Sequence, residues 1–195
     1  KDVKKILWFG GLYPWFDLRN LIDAVWQVNK TVPARLIVVG GKNPFNNRSD
    51  FVQRYDQLVE HVNSSNELKK LVIFEDWVRF EDRVDWYLDS DLVVVVNKLG
   101  DENELAWRTR LVDFTWANLP IITNGGDALG ELLISQNAAA QFSKLEPSIM
   151  ARDITLLLKN GEALDLIKRN LNKVKPSLYW DAVTKELTSL IEQHK

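Results

Sequence analysis

Short apolar runs alternate along this chain with longer stretches whose apolar residues recur at helical spacing. Such runs lie at residues 6–9, 35–39, 71–74, 92–96 and 119–123, with a weaker one at 138–142. They are too short for helices and predict strands. Behind the first run, Asp17 is placed to cap a helix carrying Leu18, Leu21, Ile22, Val25 and Trp26 on one face. Pro33 stops it. Ser49 or Asp50 is placed to cap a second helix, with Val52, Tyr55, Leu58 and Val59 inward and its end near residue 62. Further helices are predicted over 80–89, 106–118 and, capped by Asp127, 129–135. The chain then closes with three helices over 148–159, 162–174 and 180–192. The run 92–96 is the most β-branched and is predicted to be central and buried on both faces. Strands alternating with helices predict an α/β fold: one Rossmann-like, doubly wound parallel sheet of about six strands, helices on both faces and extra helices at the carboxyl end. Residues 1–195 read as one domain, without repeats, low-complexity tracts or internal linkers.

Composition narrows the function classes. Of 195 residues, 46% are hydrophobic and 27% charged, which suits a packed globular core and excludes a disordered chain. A net charge of −2 and a pI near 5.8 give no global attraction to nucleic acid or to an anionic membrane, so any phosphate binding has to be local. Cysteine is absent and histidine occurs only at His61 and His194, which removes thiolate metal sites and disfavours histidine ones. No apolar run approaches the ~20 residues that span a bilayer, and the opening Lys-Asp-Val-Lys-Lys is not a signal peptide. A cytoplasmic protein is expected, peripheral at the inner face of a membrane at most. A start directly on a strand, without Met, reads as a piece excised from a longer protein.

Candidate chemistry concentrates after the fourth strand. Open parallel sheets bind ligands beyond the carboxyl ends of their strands, and residues 101–113 place Glu102, Glu104, Asp113, Arg108 and Arg110 there, where a helix begins. Cations match helix C-termini. Two arginines at an N-terminus therefore point to an anion nearby, either the clustered acids or a bound phosphate, which the guanidinium fork suits. Asp113 either accepts hydrogen bonds from ligand hydroxyls or pairs with Arg110 or Arg108. Arg83 either contacts a ligand or belongs to a solvated face with Asp82 and Asp85. Gly10-Gly11, Gly40-Gly41 and Gly125-Gly126 all follow strands, where they either let amides approach phosphates or sugars or simply form the turn. Asp89-Ser-Asp91 has the spacing of a metal-binding pair, but it precedes a strand and reads as turn chemistry. Neither G-x-G-x-x-G after the first strand nor G-x-x-x-x-G-K-[ST] is present, which disfavours a nicotinamide, flavin or P-loop enzyme.

The run E-x-E-L-A-W-R-T-R-L-V-D-F-T-W-A-N-L-P at 102–120 resembles the carboxy-terminal, donor-binding domain of GT-B-fold glycosyltransferases, and of family 4 in particular. Four more segments resemble that domain in the right order: I-L-W-F-G-G-L-Y-P-W-F-D (6–17), L-I-V-V-G-G-K-N-P (36–44), V-I-F-E-D-W-V-R-F-E-D-R (72–83) and I-I-T-N-G-G-D-A-L-G-E (121–131). The resemblance implies a nucleotide-diphosphate-sugar site. It puts Gly10 and Gly11 in a tight turn facing the donor and Trp77 and Val78 along the base, and it assigns Asp113 to the ribose hydroxyls. The family's first motif acid falls at Leu105, so Glu102 and Glu104, on either side, are the candidates for sugar contact. Gly11 and Asp17 stand where the family carries Arg and Lys. Arg108 and Arg110, with the helix start at Thr109, are expected to neutralise the diphosphate instead. Arg83 completes the implied donor set. The implied activity is transfer of a sugar to an acceptor with retention and without a metal or other cofactor. The acceptor-binding half would lie in an N-terminal domain absent from these residues. A GT-B-like interaction domain without catalysis, or half of a nucleotide-sugar epimerase, are the alternatives.

Overall fold

The computed structural model describes residues 3–42, 44 and 49–193. Six parallel strands form one sheet in the order β3-β2-β1-β4-β5-β6, comprising β1 (Lys4–Phe9), β2 (Ala34–Val39), β3 (Val72–Glu75), β4 (Leu92–Val95), β5 (Ile121–Thr123) and β6 (Ala140–Gln141). Trp8 lies in register with Val38, and Ile6 with both Leu36 and Leu92. The order runs outward from β1 in one direction and from β4 in the other, so the winding reverses between them. Right-handed crossovers then place α1 (Leu18–Asn29) and α2 (Ser49–Asn63) on one face. They place α6 (Thr109–Trp116) and α7 (Ala128–Ser135) on the other. The reversal leaves a crevice at the carboxyl ends of β1 and β4.

The core follows the apolar pattern. All four residues of β4 are buried, as expected of a central strand covered on both faces. On α1, Leu18, Leu21, Ile22, Val25 and Val28 are buried against the sheet. Each such side chain contributes about 1.5–3 kcal/mol, and Leu21→Ala would cost about 2–5 kcal/mol. Helix α8 (Pro147–Lys159) returns to pack along α1, burying Met150, Ala151, Ile154, Leu157 and Leu158. At the amino edge, Asp91 accepts from the Lys4 ammonium at 2.7 Å and from the Lys5 N–H at 2.8 Å. Asp89 accepts from the Lys5 ammonium at 2.5 Å. The Asp-Ser-Asp triplet therefore pins β4 to β1, far from the crevice.

Several boundaries differ from the sequence expectation. The helix expected from 106 begins only at Thr109 as α6, after a separate four-residue α5 (Asp101–Glu104), because residues 106–108 are non-helical and the Ala106 carbonyl is taken by the Ala128 N–H at 3.3 Å. Leu71 ends a short α3 (Leu68–Leu71), so β3 begins one residue later than expected. Residues 80–89 split into a 3-10 turn (Phe80–Asp82) and α4 (Arg83–Leu88). Asp17 sits at the start of α1, but its carboxylate accepts from the Asn20 amide at 2.7 Å rather than from a helix N–H. Asp127 does cap α7, accepting from the Gly130 N–H at 2.9 Å. After α9 (Gly161–Val174) a 3-10 turn (Lys175–Leu178) precedes α10 (Trp180–Val183) and α11 (Lys185–Gln193), so the last expected helix is interrupted at Thr184. The side chains of Ser49 and Asp50, and Asn43 in the second glycine loop, lie outside the described residues.

Candidate functional site

The loop after β1 closes one side of the crevice. Phe16 bridges to Asn97, with the Asp17 N–H donating to Val96 O at 3.2 Å and the Lys98 N–H to Trp15 O at 2.7 Å. Trp8 meets Phe16 edge-on, and Tyr13 stacks on Trp15 with ring centroids 4.8 Å apart. Aromatic packing of this kind holds the loop in one shape, and Phe16 becomes a buried plate between the carboxyl ends of β1 and β4.

Arg110 lies against that plate. Its guanidinium sits 4.2 Å from the Phe16 ring centroid and 5.4 Å from that of Trp8. Among the described residues no carboxylate pairs with it. Burial first, and repulsion from Arg108 second, lower its pKa to about 10, so it remains a cation at neutral pH but an under-compensated one. Gly10 makes room for it: with φ at +110°, a Cβ there would come within 3.2 Å of the Arg110 Nη2. Arg108 makes no side-chain cap at the start of α6, and among the described residues no side chain is hydrogen-bonded to the N–H groups of its first turn, beginning at Thr109.

Arg108 is differently placed. Its guanidinium grips Glu102 in a bidentate pair, at 2.8 and 2.5 Å, and reaches the Asn103 Oδ1 at 3.3 Å. The Asn103 amide donates to Gly125 O at 2.9 Å, which ties α5 to the turn after β5. Asp127 is buried beneath this network, its Oδ2 without a hydrogen-bond partner among the described residues. Burial pushes its carboxyl up against the Gly130 N–H and Arg108, which pull it down. The two arginines therefore divide: Arg108 is held by Glu102, and Arg110 is the open charge.

Asp113 follows Arg110 by three residues on the same face of α6. The Tyr87 hydroxyl donates to its Oδ2 at 3.4 Å, and Arg83 Nη2 lies 3.4 Å from its Oδ1. The ion pair expected with Arg110 or Arg108 is made with Arg83 instead. Burial raises the Asp113 carboxyl, with Arg83 and Tyr87 opposing, and burial together with Asp113 pushes Tyr87 up. Tyr87 itself is buried edge-on between Phe9 and Phe114, which fixes its hydroxyl. Arg83 is braced 3.5 Å over the Phe80 ring. Asp113 and Arg83 open into a cavity of about 510 Å³ walled by Trp116 and Tyr179, within the size range of small-molecule sites.

The other candidates fall around this arc. Trp77 is exposed and lies beside the glycine turns, its ring 3.5 Å from where a Cβ on Gly40 would stand, with Gly10 adjoining. Val78 is half-buried against the core. Gly11 is buried under the Tyr13 ring. Glu104 is exposed without an ion pair among the described residues, and Leu105 is 87% exposed. Gly10, Trp77, Arg110, Asp113 and Arg83 thus form one continuous arc, whereas Glu102 belongs to the Arg108 pair. The sequence reading missed Tyr87 and Phe16. Tyr87 follows Arg83 by four residues, a helical spacing that could have paired it with the site. Phe16 had no such signal, because its neighbours come from three elements. Among the described residues no three His, Asp or Glu side chains are grouped to hold a metal ion.

Residues 3–160 match the family described as Glycosyl transferases group 1. No curated protein matches the chain. Among solved structures, the C-terminal domain of LpcC, a glycosyl transferase group 1 family protein from Francisella tularensis, aligns with 17% identity and a TM-score of 0.68 over 90% of this chain and 86% of its own. HepE of Anabaena, in complex with UDP and glucose, aligns with 18% identity and a TM-score of 0.73 over 98% of this chain. WaaG, a glycosyltransferase of lipopolysaccharide biosynthesis, aligns with 13% identity and a TM-score of 0.70 over 98%. The chain spans about half the length of these two, 48% of each. At such identities the likeness shows the fold.

Proposed function

The chain belongs to the group 1 glycosyltransferases, and on that premise we propose that it is the donor-binding half of an enzyme that moves a sugar from a nucleoside-diphosphate sugar to an acceptor. The observation that carries this reading is Arg110, a cation without a carboxylate partner among the described residues, set beside Gly10 where the sheet winding reverses. A diphosphate there completes its charge and takes up the uncapped N–H groups of α6. Asp113 then receives the ribose hydroxyls, held by Tyr87 and Arg83, and Trp77 and Val78 border the base. Of the two glutamates, Glu104 is the one free to meet the donor sugar. HepE, on the same fold, is described in complex with UDP and glucose, which supports this ligand class.

In the transfer step the bond between the anomeric carbon and the diphosphate oxygen breaks, and negative charge builds on the leaving nucleoside diphosphate. Arg110 and the amide dipoles at Thr109 are already fixed where that charge develops, which lowers the barrier without reorganisation. This chemistry needs no metal, and we assign it retention of configuration. The acceptor-binding half is supplied by a further N-terminal domain, in keeping with the doubled length of HepE and WaaG. A cytoplasmic site of action, peripheral to a membrane at most, goes with this reading; among the described residues no helix is long and apolar enough to cross one.

A second reading, a domain that kept the fold without transfer, draws on Leu105, exposed where a sugar-contacting acid is expected. Calorimetric titration of this chain with UDP, GDP and dTDP, without added metal, separates the two. Micromolar-to-millimolar binding of one of them is expected. Failure of all three, even with the missing half restored, sinks the donor reading.

A further inference from the structure

The donor arc occupies one flank of the loop between β1 and α1. The other flank holds a separate cavity of about 180 Å³, bordered by α1 and α2. Three cations line it, each from a different element: Arg19 of α1, Arg54 of α2 and Lys98 just beyond β4. Among the described residues one anion, Asp17, faces them, and its carboxylate is occupied by the Asn20 amide at 2.7 Å. Arg19 has a loose, exposed pair with Asp23 at 3.6 Å. Arg54 and Lys98 have no carboxylate partner among the described residues. A chain of net charge −2 has thus placed, among its described residues, three positive groups against one negative in a single recess. Like charges drawn together this way repel one another, and an anion in their midst relieves that.

The remaining walls are apolar. Leu12, Tyr13 and Phe16 supply aliphatic and aromatic surface, and Gln57 adds an amide at the margin. Phe16 is shared: its ring lies 4.2 Å from the Arg110 guanidinium on the donor flank and also lines this cavity. The Phe16 ring is therefore a wall common to both flanks. A group held in the second cavity would share the Phe16 ring with the Arg110 flank.

We propose that this cavity is the one subsite this half adds to the acceptor site of the N-terminal domain, taking the acceptor's anionic group, a phosphate or carboxylate borne on a sugar, with Arg54 and Lys98 as its charge partners and Tyr13 and Phe16 packing the ring carbons. Calling the ligand an acceptor rests on the donor reading above; the anion pocket itself rests on its own residues. The subsite selects acceptors by charge, since a neutral sugar leaves the cations uncompensated.

The test titrates this chain with glucose 6-phosphate, glucuronate, glucose and inorganic phosphate, following amide shifts by NMR, with a UDP titration of the same sample alongside. The expected result is millimolar binding of one or both anionic sugars, with shifts at Tyr13, Arg54 and Lys98. Glucose should bind at least about fivefold more weakly. The double substitution Arg54→Ala, Lys98→Ala should lose that binding by about fivefold or more and leave the UDP affinity unchanged. Four results overturn the proposal: anionic sugars that do not bind, glucose binding equally well, a double variant that binds as the wild type does, or inorganic phosphate binding as tightly as the sugar phosphate, which would mean a generic anion site. If UDP binds and the anionic sugars do not, the subsite fails alone. If UDP, GDP and dTDP all fail to bind, even with the missing half restored, the donor reading fails, and the acceptor assignment falls with it even where the anion pocket is filled.

Discussion

Replacing Arg110 with Met separates ligand binding from folding. The side chain has no carboxylate partner among the described residues, so its removal strands no buried acid. The loss to the fold is its contact with the Phe16 and Trp8 rings, worth about 0.5–1 kcal/mol. Relief of a cation that burial disfavours offsets that loss. The melting temperature should therefore move by no more than roughly 2–4 °C. A diphosphate loses a charge-assisted, forked contact worth about 1.5–3 kcal/mol, which is roughly 10- to 150-fold in Kd. Arg108→Met is the counterpart. It leaves Glu102, 43% exposed, and Asn103 without their donor, and should cost about 1–3 kcal/mol of stability because half of the pair already faces water. Calorimetric titration with the nucleotide the wild type binds, beside thermal melts of both variants, reads the two effects separately. Binding by Arg110→Met within twofold of wild type would refute the reasoning. So would an Arg108→Met protein that melts normally yet has lost the nucleotide.

Three further outcomes follow from the same geometry. Asp113→Ala should weaken a ribonucleotide by about 1–1.5 kcal/mol, roughly 5- to 12-fold. It should also narrow the preference for the ribo form over its deoxyribose counterpart in competition titrations; an undiminished preference would exclude Asp113 from the ribose. Gly10→Ala puts a Cβ on a backbone at φ +110° and 3.2 Å from Arg110, so it should destabilise by about 1–3 kcal/mol and weaken the nucleotide as well, read by denaturant melts and titration. Asp127→Asn should reveal the raised carboxyl through pH. The folded protein holds that proton more tightly than the unfolded chain, so wild-type stability falls as pH rises from the ordinary aspartate value of about 3.9 through the raised one. The Asn variant lacks that slope, and its melting temperature relative to wild type should climb over the same window and then level off. A difference flat across pH would contradict the assignment.

The strands and the winding of the sheet were legible because burial on both faces leaves a plain mark: residues 92–96 offer no polar position, and only a central strand accepts that. The helix starts were harder. Asp127 caps as its position suggests, yet Asp17, equally well placed, turns to Asn20. The choice depends on a neighbour three residues on rather than on the aspartate itself. The break before α6 was hidden because Ala106, Trp107 and Arg108 are all acceptable in a helix. What holds them out of the helix is the distant Ala128 N–H and the Glu102–Arg108 pair. The same limit applies to the site. Arg108 and Arg110 are two residues apart and look alike in sequence, and only the pairing of Glu102 with Arg108 tells the bound cation from the open one. Arg19, Arg54 and Lys98 are scattered over three elements, so no linear pattern could gather them.

The central claim is that a nucleoside diphosphate sits at the carboxyl ends of β1 and β4, on Arg110 and Asp113. Amide chemical-shift mapping of this chain with UDP, GDP and dTDP tests it most directly. The account predicts that one of the three perturbs Gly10, Gly11, Trp77 and the first turns of α6 from Thr109 to Asp113, while α8 and α9 stay silent. Perturbations confined to other surfaces, or none from any of the three at millimolar concentration, would contradict it.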